Sequence, residues 1–185
     1  MHRRLAPRLA PIWALVALVA CSGTPKKSFD GAVYRDGLVA FQVPPAPAGW
    51  RAVQVTEASL AYRDDAHGAS ILLNARCRRP DEGTPLLALT NHLLMGSTTR
   101  EIVSQETVPF DGREALHTKL RAKWDGVSIS FDIYVMKKDG CIYDFVYMGD
   151  PAAYDVGAAD FEAFVGGFRT LPGSGAFGQE ARSPG

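Results

Sequence analysis

The chain has 185 residues, 46% of them hydrophobic, with 20 basic and 20 acidic side chains and a formal net charge of zero. That balance excludes the strongly basic profile of a nucleic-acid binder and the charge-rich, apolar-poor profile of a disordered chain. One domain with its own core is the expectation at this length.

The N-terminus holds Arg3, Arg4 and Arg8, then an apolar run of 12 residues from Leu9 to Ala20. The run is too short to span a bilayer and contains Pro11. Basic residues, a short apolar core and small residues describe a secretory signal. Leu18-Val19-Ala20-Cys21 resembles the lipobox of bacterial lipoproteins. That resemblance implies cleavage before Cys21, a lipid (palmitate) carried by that cysteine, and a signal peptide over 1–20. An ordinary signal with a coincidental cysteine is the plainer alternative. Ser22 in place of Asp implies sorting to the outer membrane, facing the periplasm, with membrane contact through the lipid anchor. The chain left after cleavage has 17 basic and 20 acidic residues, a formal net charge of −3.

Residues 21–32 are small, polar and basic and read as a tether. A hairpin is predicted next, with Tyr34 before a turn at Asp36-Gly37 and a strand from Leu38 to Val43. The stretch 44–49 breaks regular structure. Trp50 to Val55, Leu60 to Arg63 and Ser70 to Cys77 read as strands, with a turn-rich loop over 64–68. Thr84-Pro85 predicts a helix start with Thr84 as N-cap, and Leu86, Leu87, Thr90, Leu93 and Leu94 recur at helical spacing before Gly96.

Asp111-Gly112, Asp125-Gly126 and Asp139-Gly140 fall 14 residues apart between alternating runs. Asp-Gly suits a type I′ turn, so residues 101–148 are expected to form a four-stranded antiparallel meander. With two-residue turns, Leu116 faces Val135, Leu120 faces Phe131, Val103 faces Leu120 and Val135 faces Asp144. One face then collects Val103, Leu116, Leu120, Ala122, Trp124, Val127, Ile129, Phe131, Ile133, Val135, Val146 and Met148. Phe161, Phe164, Val165 and Phe168 predict an amphipathic helix to cover the sheet. Gly166-Gly167 is expected to allow close packing or to end that helix early. Residues 172–185 read as a disordered tail.

Strands in antiparallel order with two helices describe an α+β domain. Leu38-Val39-Ala40-Phe41-Gln42-Val43-Pro44 followed by Gly49-Trp50 resembles the opening of PsbP-like domains. The run Cys141 to Tyr147, followed by Phe161, Phe164 and Phe168, is similar to that family's last strand and final helix. The resemblance spans 33–171 and implies an α/β/α sandwich, shared with DcrB-type lipoproteins, whose members act as assembly or binding modules. It carries over no catalytic residues.

The other face of the meander holds His117, Lys119, Arg121, Asp132, Tyr134, Tyr143, Phe145 and Tyr147. It reads either as a binding surface for an anionic or aromatic partner, or as a helix-covered aromatic half beside a solvated edge with one Lys119–Asp132 pair. The second reading is the more economical, and such a surface pair contributes at most ~1 kcal/mol. Asp144 falls on the apolar face and needs a partner or a raised pKa; a base at the core edge is the expected partner. Cys77 and Cys141 remain after lipidation of Cys21, and an even pair in an exported protein suggests a disulfide, with two free thiols as the alternative. His67, His92 and His117 are scattered, no CxxC, GxSxG or phosphate-loop context occurs, and no metal, cofactor or enzymatic role is expected. The leading expectation is a non-enzymatic, lipid-anchored module that binds or assembles with another envelope protein. The second is a periplasmic small-ligand binder with a cleft between sheet and helix.

Overall fold

The computed structural model describes residues 27–37, 39–77 and 83–172. The strands are β1 (Ser28–Phe29), β2 (Val33–Asp36), β3 (Val39–Gln42), β4 (Arg51–Ala52), β5 (Leu60–Asp64), β6 (Ala69–Cys77), β7 (Thr98–Phe110), β8 (Arg113–Trp124), β9 (Val127–Lys138), β10 (Cys141–Gly149) and β11 (Arg169–Thr170). The helices are α1 (Leu86–Leu93) and α2 (Tyr154–Gly166). Cys21, the signal segment 1–20 and the tail from 173 lie outside the described residues.

All three Asp-Gly pairs place both residues at positive φ, from 46° at Asp111 to 83° at Gly126, as a type I′ turn requires. These turns join β7, β8, β9 and β10 as consecutive antiparallel neighbours. Leu116 pairs with Val135, Leu120 with Phe131 and Val135 with Asp144. The four strands are part of a larger sheet of seven, ordered β4-β5-β6-β10-β9-β8-β7. A second sheet, β1-β2-β3-β11, is separate from it.

The first half of β7 departs from the expected register. Ile102, not Val103, faces Leu120, because the ladder shifts between Thr98 and Glu101 and again between Ile102 and Ser104. Val103 is 57% exposed and leaves the core set. These bulges, with Pro109, interrupt the one long edge strand and leave it a poor template for another chain.

Other boundaries move for local reasons. Asp36 pairs with Val39, so Asp36 ends a strand and is not in the turn. In the stretch expected as a strand to Val55, the ladder with β5 holds Arg51–Ala52, and the Val53 amide adds a bond to the Ala61 carbonyl at 2.9 Å. Ser28 and Phe29 pair with Arg35 and Tyr34, so the domain starts inside the expected tether. Pro85, not Thr84, sits at the N-cap of α1 and no side chain caps it. The backbone carbonyl of Thr84 instead accepts a hydrogen bond from Lys137 Nζ.

Helix α2 begins seven residues before Phe161 and stops at Gly166, leaving Phe168 beyond it. Gly157 and Gly167 are needed for close approach. A Cβ at Gly157 would lie 2.8 Å from Tyr147, and one at Gly167 would lie 2.2 Å from Pro44 Cγ.

Two cores result, one on each face of the large sheet. Under α1, Leu89 and Leu94 pack on Leu120, Ala122, Phe131, Ile133, Val135 and Ile142. On the opposite face, α2 and the small sheet enclose Phe41, Tyr143, Phe145, Tyr147, Phe161, Phe164 and Phe168. Burying each such aromatic side chain contributes about 1.5–3 kcal/mol. The helices thus lie on opposite faces of the sheet, with the small sheet sharing the α2 side. Cys77 and Cys141 face each other across β6 and β10, with Cα atoms 4.0 Å apart, and are joined by a disulfide.

Candidate functional site

The aromatic half of the face weighed as a binding surface is covered by a helix, as the more economical reading expected. Tyr143, Phe145 and Tyr147 are fully enclosed. The Tyr147 hydroxyl donates to the carbonyl of Tyr154 (3.0 Å), and Phe168 packs edge-on against Phe145 with ring centroids 4.9 Å apart. Physically, an aromatic strand face exposed to water would cost more than the helix that covers it, so α2 and β3 close over it.

The basic half of that face is also not a plain solvated edge. Asp132 is completely buried and has three partners. His117 Nε2 bonds its Oδ1 at 2.6 Å, and the Tyr154 hydroxyl donates to Oδ2 at 2.9 Å. Lys119 Nζ lies 3.5 Å from Oδ2 and donates to Glu162 at 3.2 Å. The His117 ring stacks on Tyr134 at 3.9 Å. Burial alone would pull the Lys119 ammonium down, but Asp132 and Glu162 hold it above its ordinary value. Burial, reinforced by the Asp132 charge, pushes the Tyr134 and Tyr154 hydroxyls above the usual tyrosine range.

The register correctly opposes Lys119 with Asp132 and His117 with Tyr134. It does not supply Tyr154 and Glu162, which arrive on α2. Their contribution converts a surface pair into a buried fastener between helix and sheet. Trp50 Nε1 adds a second tie, donating to Asp160 of α2 at 2.9 Å. Arg121 alone among the expected surface residues is exposed, 3.9 Å from Glu101.

Asp144 lies on the α1 side, almost fully buried, and pairs with Arg76 from the neighbouring strand. Asn74 stands directly opposite it on β6. Burial pushes the Asp144 pKa above the ordinary value, while the Arg76 guanidinium and the Asn74 side chain act against that rise. The pair with a base at the core margin is the arrangement its position in the register demands.

The open surface lies on the α1 side instead. Helix α1 has eight residues and packs mainly on β8 and β9. The register places Leu72, Ile102, Trp124, Val127, Ile129, Val146 and Met148 on this same face. Val127 is 63% exposed, Ile102 52%, and Met95 just past α1 is 61% exposed. Trp124, Ile129, Val146, Met148 and Leu72 are half-buried. A cleft of about 500 Å³ opens beside this apolar margin, lined by Val127, Ile129 and Met148 together with Arg63, His67 and Asp150.

A second cleft of about 500 Å³ lies between β1–β2 and the segment from β4 to β5, lined by Phe29, Tyr34, Val55 and Tyr62. None of the bonded groups around Asp132 lines either cleft. Among the described residues, no group of three or more His, Cys, Asp or Glu side chains is placed to hold a metal. His67 is held by Asp64 at 2.6 Å, closing the turn between β5 and β6. Among the described residues, no helix is long and apolar enough to cross a membrane.

No family model and no curated protein sequence matches the chain. Solved structures do match in shape. Cyanobacterial PsbP (CyanoP) from Synechocystis sp. PCC 6803 aligns over 83% of this chain and 99% of its own, with a TM-score of 0.51 and 16% identity. LpqN of Mycobacterium tuberculosis, described as involved in cell envelope biogenesis, aligns over 72% of this chain and 86% of its own, with a TM-score of 0.53 and 11% identity. A protein from Bacteroides thetaiotaomicron aligns over 78% of this chain and 47% of its own, with a TM-score of 0.52 and 10% identity. With the antiparallel sheets, a helix on each face and these likenesses together, the domain has a PsbP-like α+β fold.

Proposed function

We propose that this chain is a non-enzymatic binding or assembly module of the bacterial cell envelope, held at the outer membrane by a lipidated Cys21 and facing the periplasm. It docks another envelope protein on the apolar margin beside α1. The observation that carries this reading is the asymmetry of the two sheet faces. The α2 face is closed by aromatic packing and polar ties. The α1 face ends in exposed Val127, Ile102 and Met95, and an apolar strip of this kind in a folded domain marks an interaction site. The likeness to LpqN, described as involved in cell envelope biogenesis, supports the envelope setting. The disulfide supports an oxidising compartment.

A ligand between the sheet and α2 is less well supported, because Phe161 and Phe164 fill that gap. An enzymatic reading would need bonded titratable groups facing a pocket, and those around Asp132 face a helix.

The test is photo-crosslinking in intact cells from a reactive residue at position 127. A discrete envelope protein is expected, lost when Ile129→Asp is added. Recovery of only lipids and abundant porins, with or without that change, overturns the docking reading. Separately, Cys21→Ser should release the protein from the membrane fraction; retention there sinks the lipid anchor.

A further inference from the structure

The anchor and the domain are closer in sequence than a tether of 21–32 would make them. Ser28 and Phe29 are ladder-paired to β2, so five residues, 22–26, separate Cys21 from Lys27, where the described domain begins. Six residue steps span about 20 Å at full extension. This is less than the polar headgroup layer plus the thickness of a small domain, so the surface nearest β1 is held against the bilayer.

That surface has the chemistry of an interfacial contact. The cleft between β1–β2 and the segment following β4 opens there. Phe29 and Val55, both lining it, are 38% and 40% exposed. Lys27 also lines it, with its side chain 68% exposed. Lys26 precedes Lys27 in the sequence. Exposed apolar side chains beside a lysine suit a surface that offers acyl chains below anionic headgroups. Two acids lie nearby: Asp36, 3.6 Å from Lys27, and Asp30, which follows Phe29 and accepts from the Ala32 and Val33 amides.

We propose that the mouth of this cleft is the membrane-contacting surface of the domain. Phe29 and Val55 seat at the headgroup level, and Lys27 rests against lipid phosphates. The inference rests on the proposed lipid anchor at Cys21. It also fixes the orientation of the docking margin. Val127 is on β9, three strands from β5 and so about 14 Å away across the sheet, and it points from the α1 face. The contact therefore leaves the α1 margin free for a protein partner.

The test attaches the anchor chemically, so it does not depend on whether cells lipidate Cys21. The chain from residue 21, with its disulfide intact, is coupled through Cys21 to a maleimide lipid in phosphatidylethanolamine–phosphatidylglycerol vesicles. A fluorescent amino acid is placed at position 55 or at position 127, and a headgroup nitroxide lipid is the quencher. Quenching severalfold stronger at 55 than at 127 is expected, and Lys27→Glu should weaken it. Equal quenching at the two positions overturns the proposal. So does a label at 55 that stays unquenched, the outcome if the cleft holds a small molecule or faces the periplasm. If cells fail to lipidate Cys21 while the vesicle result holds, the anchor reading fails and the surface chemistry stands.

Discussion

Removing the Cys77–Cys141 bridge is the perturbation whose size can be worked out most directly. The bridge closes a loop of 64 residues that contains α1 and the strands β7, β8 and β9. In the chain-entropy account, releasing a loop of that length from the denatured ensemble costs about 4 kcal/mol of stability. The native state has reason to survive the loss. The two cysteines stand opposite each other in a ladder of eight pairs between β6 and β10, which holds them together without the bond. The effect should therefore be read mainly in the unfolded state.

The assay is urea unfolding of the oxidised chain, the reduced chain and Cys77→Ala/Cys141→Ala. Midpoints should fall together for the last two, and the slope m should rise, because an uncrosslinked denatured chain exposes more surface. A loss below about 1 kcal/mol with unchanged m would refute the loop-entropy argument. It would mean that the denatured chain already keeps β6 near β10. A loss well above the calculated size, with native signals gone before urea is added, would mean instead that the bond holds the native sheet together.

Asp132→Ala should cost about 3–5 kcal/mol in the same assay, since it strands His117, Lys119 and the Tyr154 hydroxyl around a buried site. Lys119→Met, at a partly exposed position, should cost clearly less. Gly167→Ala should destabilise by about 1–3 kcal/mol because its Cβ collides with Pro44, whereas Gly166→Ala meets open space and should stabilise by about 0.5–1 kcal/mol; thermal melts of the pair should move in opposite directions. Asp144 has a folded pKa raised by burial, so the native state holds its proton more tightly than the unfolded chain. The stability of the wild type relative to Asp144→Asn should therefore fall as pH rises through the window above the ordinary aspartate pKa of 3.8. Matched urea titrations that show the difference rising with pH would mean that Arg76 outweighs burial.

Local chemistry made the meander legible. Asp-Gly dictates a turn, the turn dictates a register, and the register names the residues on each face, including the misfit of Asp144. The same logic failed at Val103, because a bulge inserts a residue without any turn signal. It also could not foresee β1 or β11, each of two residues, which exist only because the small sheet offers them a neighbour. The site was less legible than the fold. Alternation assigns a residue to a face but does not say which helix lies over that face. Lys119 and Asp132 therefore looked like a surface pair until α2 brought Tyr154 and Glu162 to them. Tyr154 and Asp160 are separated from Asp132 and Trp50 by long stretches of chain, and no spacing rule connects them. The exposed margin beside α1 was hidden for a related reason. The twelve apolar residues assigned to that face implied a full cover, whereas α1 is only eight residues long.

The two helices differ in how they are held, and the difference bears on where a partner can act. Helix α2 is tied by Tyr154 to Asp132, by Glu162 to Lys119 and by Asp160 to Trp50, besides its buried phenylalanines. Moving it would strand a buried carboxylate, so that side of the sheet is fixed. Helix α1 rests on leucines, and its polar ties are at its ends, where Arg100 bonds the Leu94 carbonyl and Lys137 bonds that of Thr84. Apolar contacts of this kind are non-directional, so a second apolar surface can extend the core sideways from α1 without breaking a directional bond. A protein partner on the α1 margin therefore adds to an existing core, whereas one on the α2 face would first have to dismantle a network. That contrast follows from the identity of a few residues on β8, β9 and α2, and it is why the docking proposal is placed on the side of the sheet that the sequence pattern had assigned wholly to the interior.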